Sequence, residues 1–509
     1  MLMRNVVVNA LLLAVVWVPT AARAGGESSY LAAVRAFAHA MLQHGTDRYG
    51  SVHSPMYAAD LDLATLRLPE RRPPSPPGAT SYATQRYSFG GSNLMWDVLS
   101  LRAQYLLSEV TGDDCYAEAA DAYLEFFVEH CPSPTTGLFP WGQHAFWKLR
   151  SGAAAERLAD EPWRWYGAAG GGGAHEFESF TPPWREMWRF SPEVVLQFAQ
   201  GVYDWHIKCD DTYFFNRHGD LYNRRNPAER PPYPPPIGVR DMAWERHAGL
   251  YMYTFAFAYS KTGEEKYLTW ARGLSDLYWN VRDPQTDLTW RSIWMDADGR
   301  LIPDPRHTDR GVLTQQPYWK LKAYRLAPDA EQAQVLRDRA LAYLRAYCRE
   351  QPPATGRRLW DSADAQSVHG QMMSLAYKVS GEDEFRDWLA AWCDAAFRHR
   401  PHAAEAGEWS LMPGNYANLL VGFLQLHQIG GRADDLQRAR VVADEALELF
   451  RHESGLLRAA VQVAAKDGRV HVEPYEYYNN HTGVQKLIYA LLQLHILANK
   501  LDAPVEHMY

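Results

Sequence analysis

This sequence of 509 residues lacks long apolar runs, closely spaced cysteine pairs and an excess of positive charge. After residue 24, no apolar, charge-free stretch reaches the about 20 residues that a membrane-spanning helix needs. The five cysteines are dispersed without a CxxC pair; Cys115 and Cys131 are candidates for a disulfide, and burial in the core is the alternative. The formal net charge of −8 gives no reason to expect a nucleic-acid partner. An acidic ligand would need local arginine, lysine or metal.

The first 24 residues have the pattern of a secretory signal. Arg4 precedes an apolar run from Val6 to Val16, and Ala22-Arg23-Ala24 supplies small residues for cleavage. We predict cleavage after Ala24, so that residues 1–24 are a signal peptide and the mature protein is periplasmic or secreted, without a stable membrane span. An uncleaved anchor is the alternative.

One sequence motif recurs along the chain. An apolar-periodic segment ends at a glycine, acidic residues follow it, and an aromatic residue then opens the next apolar stripe. Glycine favours the left-handed conformation that ends a helix, and acidic residues favour the start of the next one. The motif therefore predicts an αα-hairpin. Its copies cover residues 106–113, 258–265 and 376–383, with a looser copy at 427–431.

The spacing of these hairpins predicts the fold class. Irregular intervals argue against a regular solenoid and favour an all-α fold, an α/α toroid of inner and outer helices with long loops lining a cleft. Little β structure is expected, apart from a hairpin near residues 457–472. Since no clear linker interrupts the chain, residues 25–509 are predicted to form a single catalytic domain. Proline- or glycine-rich loops are expected at 71–78, 170–173 and 230–236.

Three segments of the first half carry candidate metal ligands. They are Trp141-Gly142-Gln143-His144, His175-Glu176, and Arg217-His218-Gly219. All lie in irregular segments between helices, where functional residues concentrate. Two imidazoles and a carboxylate suit a first-row divalent ion. Because the sequence contains 19 histidines, the spacing alone does not distinguish such a site from chance.

The stretch from Gly137 to Tyr222 resembles the family 2 polysaccharide lyases, which are pectate lyases built on an (α/α)7 barrel. The three segments match that family's glycine-rich histidine element, its His-Glu element and its Arg-His-Gly element. The resemblance implies an incomplete (α/α)7-like barrel. It also implies metal ligands at His144, Glu176 and His218, with Arg217 as the catalytic base. Manganese is the implied metal, with cobalt, nickel, zinc and calcium as alternatives.

Three features depart from the family pattern. Gln143 replaces a glycine, Glu178 stands where a basic residue is expected, and a glycine-rich insert widens the gap between His144 and Glu176. An extra carboxylate would oppose binding of a polyuronate. The identity of the substrate is therefore less constrained than the type of reaction.

The resemblance implies β-elimination on an acidic polysaccharide, for which pectate is the predicted substrate. Neutralising the uronate carboxylate acidifies the proton on C5, a base removes it, and the glycosidic oxygen leaves from C4. Guanidinium groups ordinarily keep their proton, so an arginine base requires a dry and strongly positive site. The alternative role for Arg217 is to clamp the substrate carboxylate.

Further residues are predicted to bind substrate. His175 precedes Glu176, and either substrate binding or orientation of the loop would explain it. Arg240 and Trp244 belong to a polar and aromatic cluster that runs to His247; substrate contact is predicted, and a capped helix start is the alternative. Asn480 and the following histidine are candidates for the far wall of the cleft.

Three other functions remain open at this point. One is a glucuronan or alginate lyase that uses a histidine–tyrosine pair without metal. Another is a glycoside hydrolase with two carboxylates, of which Asp97 is a candidate. The third is a glycan-binding protein without catalysis.

Overall fold

The computed structural model describes most of the chain after the predicted signal segment, and residues 1–24 lie outside the described part. The described residues are 28–71, 73, 88–134, 136–142, 146–150, 174–220, 243–296, 300–303, 315–361, 368–404, 406–466 and 469–503.

Fourteen α-helices lie within these residues and alternate between two layers. Their bounds are α1 Ser29–Ala40, α2 Leu94–Thr111, α3 Cys115–His130, α4 Trp184–Phe190, α5 Pro192–His206, α6 Glu245–Thr262, α7 Glu265–Asn280, α8 Gln316–Leu326, α9 Glu331–Glu350, α10 His369–Ser380, α11 Asp383–Arg398, α12 Pro413–Gln428, α13 Asp435–Phe450 and α14 Val484–Asn499.

The two layers differ in how their helices are buried. The even-numbered helices other than the short α4 are inner helices; α12, for example, is buried without a break from Pro413 to Leu426. The odd-numbered helices are outer helices with one apolar stripe, as in α13, where Ala439, Val442 and Ala446 are buried at helical spacing. A helix that is apolar all round belongs inside, and an amphipathic helix covers it.

The inner helices form most of a ring, and α3, α4 and α5 close it between α2 and α6. Helix α6 packs against α8, and the contacts continue through α10, α12 and α14 back to α2. Between α2 and α6 the short helix α4 packs against α3 and α5, while the first helix, α1, covers α14. This architecture confirms the predicted α/α toroid. Seven helical pairs among the described residues give it the (α/α)7-like arrangement, with α4 as the incomplete member.

The recurring motif lies at the turns from an inner helix to an outer helix, after α2, α6, α10 and α12. Gly112 shows why glycine is used there. Its φ of 70° ends α2 in the left-handed conformation, and its N–H donates to the Ser108 carbonyl oxygen at 2.8 Å. Helix α3 begins three residues later. The αα-hairpin prediction is therefore confirmed.

Twelve short strands lie among the described residues, and all their pairings are antiparallel. They are β1 Asp60–Asp62, β2 Gly91–Ser92, β3 Trp147–Lys148, β4 Ala174–Glu176, β5 His218–Asp220, β6 Ala243–Trp244, β7 Ser292–Met295, β8 Leu301–Pro303, β9 Gly407–Leu411, β10 Val461–Lys466, β11 Arg469–Pro474 and β12 Tyr477–Asn479. The expected hairpin near residues 457–472 is β10–β11, to which β9 adds a third strand.

Four of these strands lie just before an inner helix: β2 precedes α2, β6 precedes α6, β9 precedes α12 and β12 leads into α14. The small sheets therefore gather where the inner helices begin. The candidate site lies at this end of the toroid.

The structure also bears on the candidate disulfide and on membrane-spanning helices. The five cysteines are free thiols, with Cys115 exposed and Cys131 buried, so the two do not form a disulfide. Among the described helices, none combines the length and the apolar character needed to cross a bilayer.

Candidate functional site

Strand β4 places Glu176 beside the Arg217-His218-Gly219 segment. It pairs antiparallel with β5, so that the backbone of Glu176 lies opposite that of His218. Arg217 directly precedes β5, and its Nη1 lies 3.4 Å from Glu176 Oε1. Two residues separated by 41 positions in sequence are thereby joined by an ion pair. Since neighbouring side chains of a strand point to opposite faces, His175 points away from this pair.

Glu176, Glu178 and His247 form a buried cluster that offers three ligand atoms within 4.8 Å of one another. The two glutamates alternate with Phe177, whose ring stacks on Tyr251 in the core. His247 comes from the first turn of α6, and its Nε2 lies 3.1 Å from Glu176 Oε1 and 4.0 Å from Glu178 Oε2. We call these three residues the acidic cluster.

The acidic cluster suits a divalent cation. Burial lowers the pKa of His247 to about 3, against the opposing effect of its hydrogen bond to Glu176, so the imidazole is neutral and can donate a lone pair. Its Nδ1 is buried and has no hydrogen-bond partner among the described residues, and with the proton on Nδ1 the lone pair of Nε2 would face the cation beside Glu176. Two carboxylates and a neutral imidazole are ligands that manganese, iron, cobalt, nickel or zinc accept. The donor set fits a metal but does not select one.

Two arginines and a tryptophan border the cluster. The Arg246 guanidinium forms an ion pair with Glu178, and Arg217 forms the ion pair with Glu176. The guanidinium carbons of Arg217 and Arg246 lie 4.4 and 5.2 Å from the centroid of the Trp244 ring. About a fifth of each arginine side chain is exposed, 22% and 21%. The structure therefore brings the predicted residues Arg217, Glu176 and Trp244 together, with the arginines facing the solvent side.

Three predicted site residues are not fully described. His144 and Arg240 lie outside the described residues, and for His218 only the backbone is described. Their roles as metal ligands and substrate contact remain predictions.

Gly142 shows that the segment leading to His144 reaches the acidic cluster. Its φ is +87°, and a Cβ at this position would lie 2.3 Å from the Glu176 carbonyl oxygen. The Gly142 carbonyl oxygen accepts a hydrogen bond from Asn93 Nδ2, and Trp141 Nε1 donates to the Glu178 carbonyl oxygen. The backbone of Gly142 and the side chain of Trp141 are therefore in direct contact with the backbone of residues 176–178.

Gly142→Ala is expected to lower both stability and metal affinity, because the new methyl group would displace the backbone of Glu176. Gly112→Ala is the matched control, since Gly112 has a φ of +70° but nothing within 4 Å of its Cβ position. The backbone strain alone should cost about 1 kcal/mol in either variant. Thermal denaturation and manganese titration check this. Equal effects of the two substitutions would contradict the proposed contact.

His175 lies in the core rather than at the cluster surface. Burial lowers its pKa to about 3, and that of His206 well below its usual value, so both rings are neutral. The Tyr251 hydroxyl lies 2.9 Å from His206 Nδ1, which is also 3.0 Å from the Asn216 carbonyl oxygen. His206 Nε2 lies 2.8 Å from His175 Nδ1, and His175 Nε2 lies 3.1 Å from the Phe139 carbonyl oxygen. This placement favours loop orientation over substrate binding for His175.

Two cluster members were not assigned from the sequence. The sequence shows Glu178 only as a departure from the family pattern, and His247 only as the end of the segment that begins at Trp244. The alternation of Glu176 and Glu178 about Phe177 was the available signal, because residues two apart in an extended segment share a face. No pattern in the sequence indicated that α6 would bring His247 to them.

Asp97 and Asn480 lie where the ring closes. Asp97 is fully buried, and burial raises its pKa to about 7. It accepts hydrogen bonds from Asn480 Nδ2 and from the Tyr123 hydroxyl, both at 2.9 Å. This network joins the start of α2 to the turn before α14. Asp97 therefore joins the first and last parts of the ring. It is not an exposed carboxylate of the kind that a glycoside hydrolase uses.

The segments that build this site lie within a known family pattern. Residues 89–292 match the family described as periplasmic pectate lyase. The match includes the acidic cluster, Arg217 and Trp244, but less than half of the chain. A pectate disaccharide-lyase of Dickeya dadantii (strain 3937) is 26% identical over 202 residues, which are 37% of this chain and 34% of the relative. The chain thus matches about a third of that relative's length. The predicted resemblance to pectate lyases is confirmed.

Several solved structures are similar over most of the chain. A family 76 α-mannanase from Bacteroides thetaiotaomicron shares 8% identity over 94% of this chain and 98% of its own, with a TM-score of 0.46. An unsaturated glucuronyl hydrolase specific for heparin shares 8% identity over 93% and 98%, with a TM-score of 0.42. A polysaccharide lyase shares 11% over 92% and 52%, with a TM-score of 0.40. These scores are too low to bear on reaction or substrate.

Proposed function

We propose that this protein is a polysaccharide lyase that cleaves an acidic uronic-acid polysaccharide, with pectate as the substrate, by metal-assisted β-elimination. The observation that carries the proposal is the contact of the Arg217 guanidinium with Glu176 of the buried acidic cluster. The family match and the name of the Dickeya relative support the choice of pectate. The predicted signal peptide supports export to the periplasm or the medium, and we propose one catalytic domain over residues 25–509.

The acidic cluster would hold the metal, with His144 and His218 as further proposed ligands. A bound divalent cation would neutralise the uronate carboxylate and so acidify the proton on C5. Glu176 and Glu178 supply the negative charge that retains a cation, and the neutral His247 supplies nitrogen. We propose manganese, the metal that the resemblance to family 2 polysaccharide lyases implies, and the imidazole and carboxylate ligands suit it as they suit other first-row divalent ions.

Arg217 is proposed as the base. Its guanidinium pairs with Glu176 and is partly exposed, so a substrate lying over the cluster can reach it. A cation held by the acidic cluster would supply the positive field that an arginine base requires. The base takes the C5 proton, the electron pair of that C–H bond forms a C4–C5 double bond, and the C4–O bond breaks. The leaving oxygen gains a proton, and the product ends in an unsaturated uronide. Arg240 and Trp244 are proposed to bind the sugar chain around this point.

One rival is disfavoured by a specific contact. A metal-free lyase needs a histidine and a tyrosine that face the substrate. Next to the acidic cluster the described pair is His206 and Tyr251, which bond to each other at 2.9 Å. Both are fully buried and pack against His175 and Phe177, whose side chains point away from Arg217, so neither faces the substrate side. The two residues stabilise the core instead.

A polyuronate panel, assayed with and without chelator, tests the proposed function. We expect polygalacturonate to give the ultraviolet absorbance of unsaturated uronides. Because the cation neutralises the substrate carboxylate, chelation should lower this rate at least about tenfold, and added manganese should restore it. A glycoside hydrolase would release reducing ends without the absorbance. A rate unchanged by chelator would favour the metal-free lyase, and binding without turnover would favour a glycan-binding protein.

A further inference from the structure

Arg291 is a basic residue of the candidate site that neither the sequence patterns nor the proposed mechanism uses. It directly precedes strand β7, whose Ser292 pairs with Trp244 of β6. The Arg291 carbonyl oxygen accepts a hydrogen bond from the Glu245 N–H at 3.1 Å. The backbone of Arg291 is therefore fixed beside the start of α6, from which Trp244, Arg246 and His247 reach the site.

The side chain of Arg291 stacks on the same indole as Arg217 and Arg246. Its guanidinium carbon lies 4.8 Å from the centroid of the Trp244 ring, and the side chain is half-buried. Three guanidinium groups thus surround one indole. Like charges this close repel one another, so an arrangement of this kind is stable when anions are nearby. Glu176 and Glu178 face Arg217 and Arg246, and both carboxylates belong to the acidic cluster. Burial raises the pKa of the Glu245 carboxyl to about 8, and Arg246 and Arg291 oppose that rise.

We propose that Arg291 binds the carboxylate of a second uronate unit, next to the unit whose carboxylate lies at the acidic cluster. The proposal rests on the substrate class given under Proposed function. A polyuronate carries one carboxylate on each sugar, so a chain crossing the cluster presents a second anion near Trp244. Guanidinium groups bind carboxylates through two parallel hydrogen bonds, and the indole holds the planar group in place. Arg291 would then select for adjacent acidic sugars.

The test compares Arg291→Gln and Arg291→Lys with Arg282→Gln. Arg282 is the matched control, because its guanidinium carbon lies 4.2 Å from the Trp279 ring and its Nε contacts Asp287. The full-length, manganese-loaded proteins are titrated calorimetrically with trigalacturonate and with its methyl ester, and product absorbance is followed in parallel. Arg291→Gln should bind trigalacturonate about 10- to 100-fold more weakly, because a charged hydrogen-bonded pair is lost. Arg291→Lys should be intermediate.

The control ligand and the control variant make the outcome decisive. The neutral ester should bind equally to the wild type and to Arg291→Gln, and Arg282→Gln should bind both ligands as the wild type does. Trigalacturonate affinities within about twofold in Arg291→Gln and the wild type would overturn the proposal. If Arg291→Gln does not fold, Arg291→Lys takes its place in the test. The proposal is then supported if Arg291→Lys binds the ester as the wild type does but binds trigalacturonate more weakly. Absence of unsaturated product from the wild type would refute the lyase function, whereas the titration tests Arg291 independently.

Discussion

Glu176→Gln is expected to lose bound manganese and to lower turnover by about 10³ or more, since a metal contributes several kcal/mol to such a transition state. Glu176 is the residue on which the site converges. Its Oε1 lies 3.1 Å from His247 Nε2 and 3.4 Å from Arg217 Nη1, and its backbone pairs with that of His218. The amide keeps the shape of the side chain but removes the negative charge. Metal content after dialysis and the rate of absorbance increase measure the two effects.

Glu193→Gln is the matched control for this prediction. Glu193 is exposed in the first turn of α5, and its substitution should leave metal content and rate unchanged. Glu178→Gln should also lower the affinity for manganese, because Glu178 Oε2 lies 4.0 Å from His247 Nε2. Retention of stoichiometric manganese in Glu176→Gln would contradict the assignment of the acidic cluster as the metal site.

The fold was predictable because its signals are local. The turn at Gly112 needs a left-handed residue, acidic residues follow it, and the same sequence recurs at Gly263 and Gly381. Each signal is contained within about ten residues. The short helix α4 lacked such a signal. Its seven residues bury only Trp184 and Met187, too few for a clear period.

The candidate site was predictable only in part. The pairing of β4 with β5 joins two segments that the sequence had already singled out, Glu176 and Arg217. His247 belongs to the site because α6 starts at the same end of the toroid, and this placement depends on packing of the whole ring. Glu178 looked unfavourable for an acidic substrate. In the structure its charge is offset by Arg246 and serves the acidic cluster.

Arg217→Ala is expected to retain manganese while turnover falls by about 10² to 10⁴, the usual contribution of a general base. The expectation follows from position, since Arg217 contacts the acidic cluster without being one of its ligand-bearing residues. His218→Ala, by contrast, should lose metal and activity together if His218 is a ligand. Steady-state kinetics and metal analysis on the same preparations separate the two outcomes.

The Arg217→Lys variant distinguishes a base from a carboxylate clamp. A clamp acts through its charge, so lysine should preserve most of kcat and raise KM, since binding is then lost equally in the ground and transition states. A base acts on the C5 proton at a fixed position, so a displaced ammonium group should lower kcat even at saturating substrate. Arg189→Ala is the control for removal of an ion-paired arginine. Arg189 Nη2 lies 2.6 Å from Asp121 Oδ1, and neither residue belongs to the acidic cluster. Full turnover in Arg217→Ala would exclude both roles, and the C5 proton would then have to be taken by another group at the cluster.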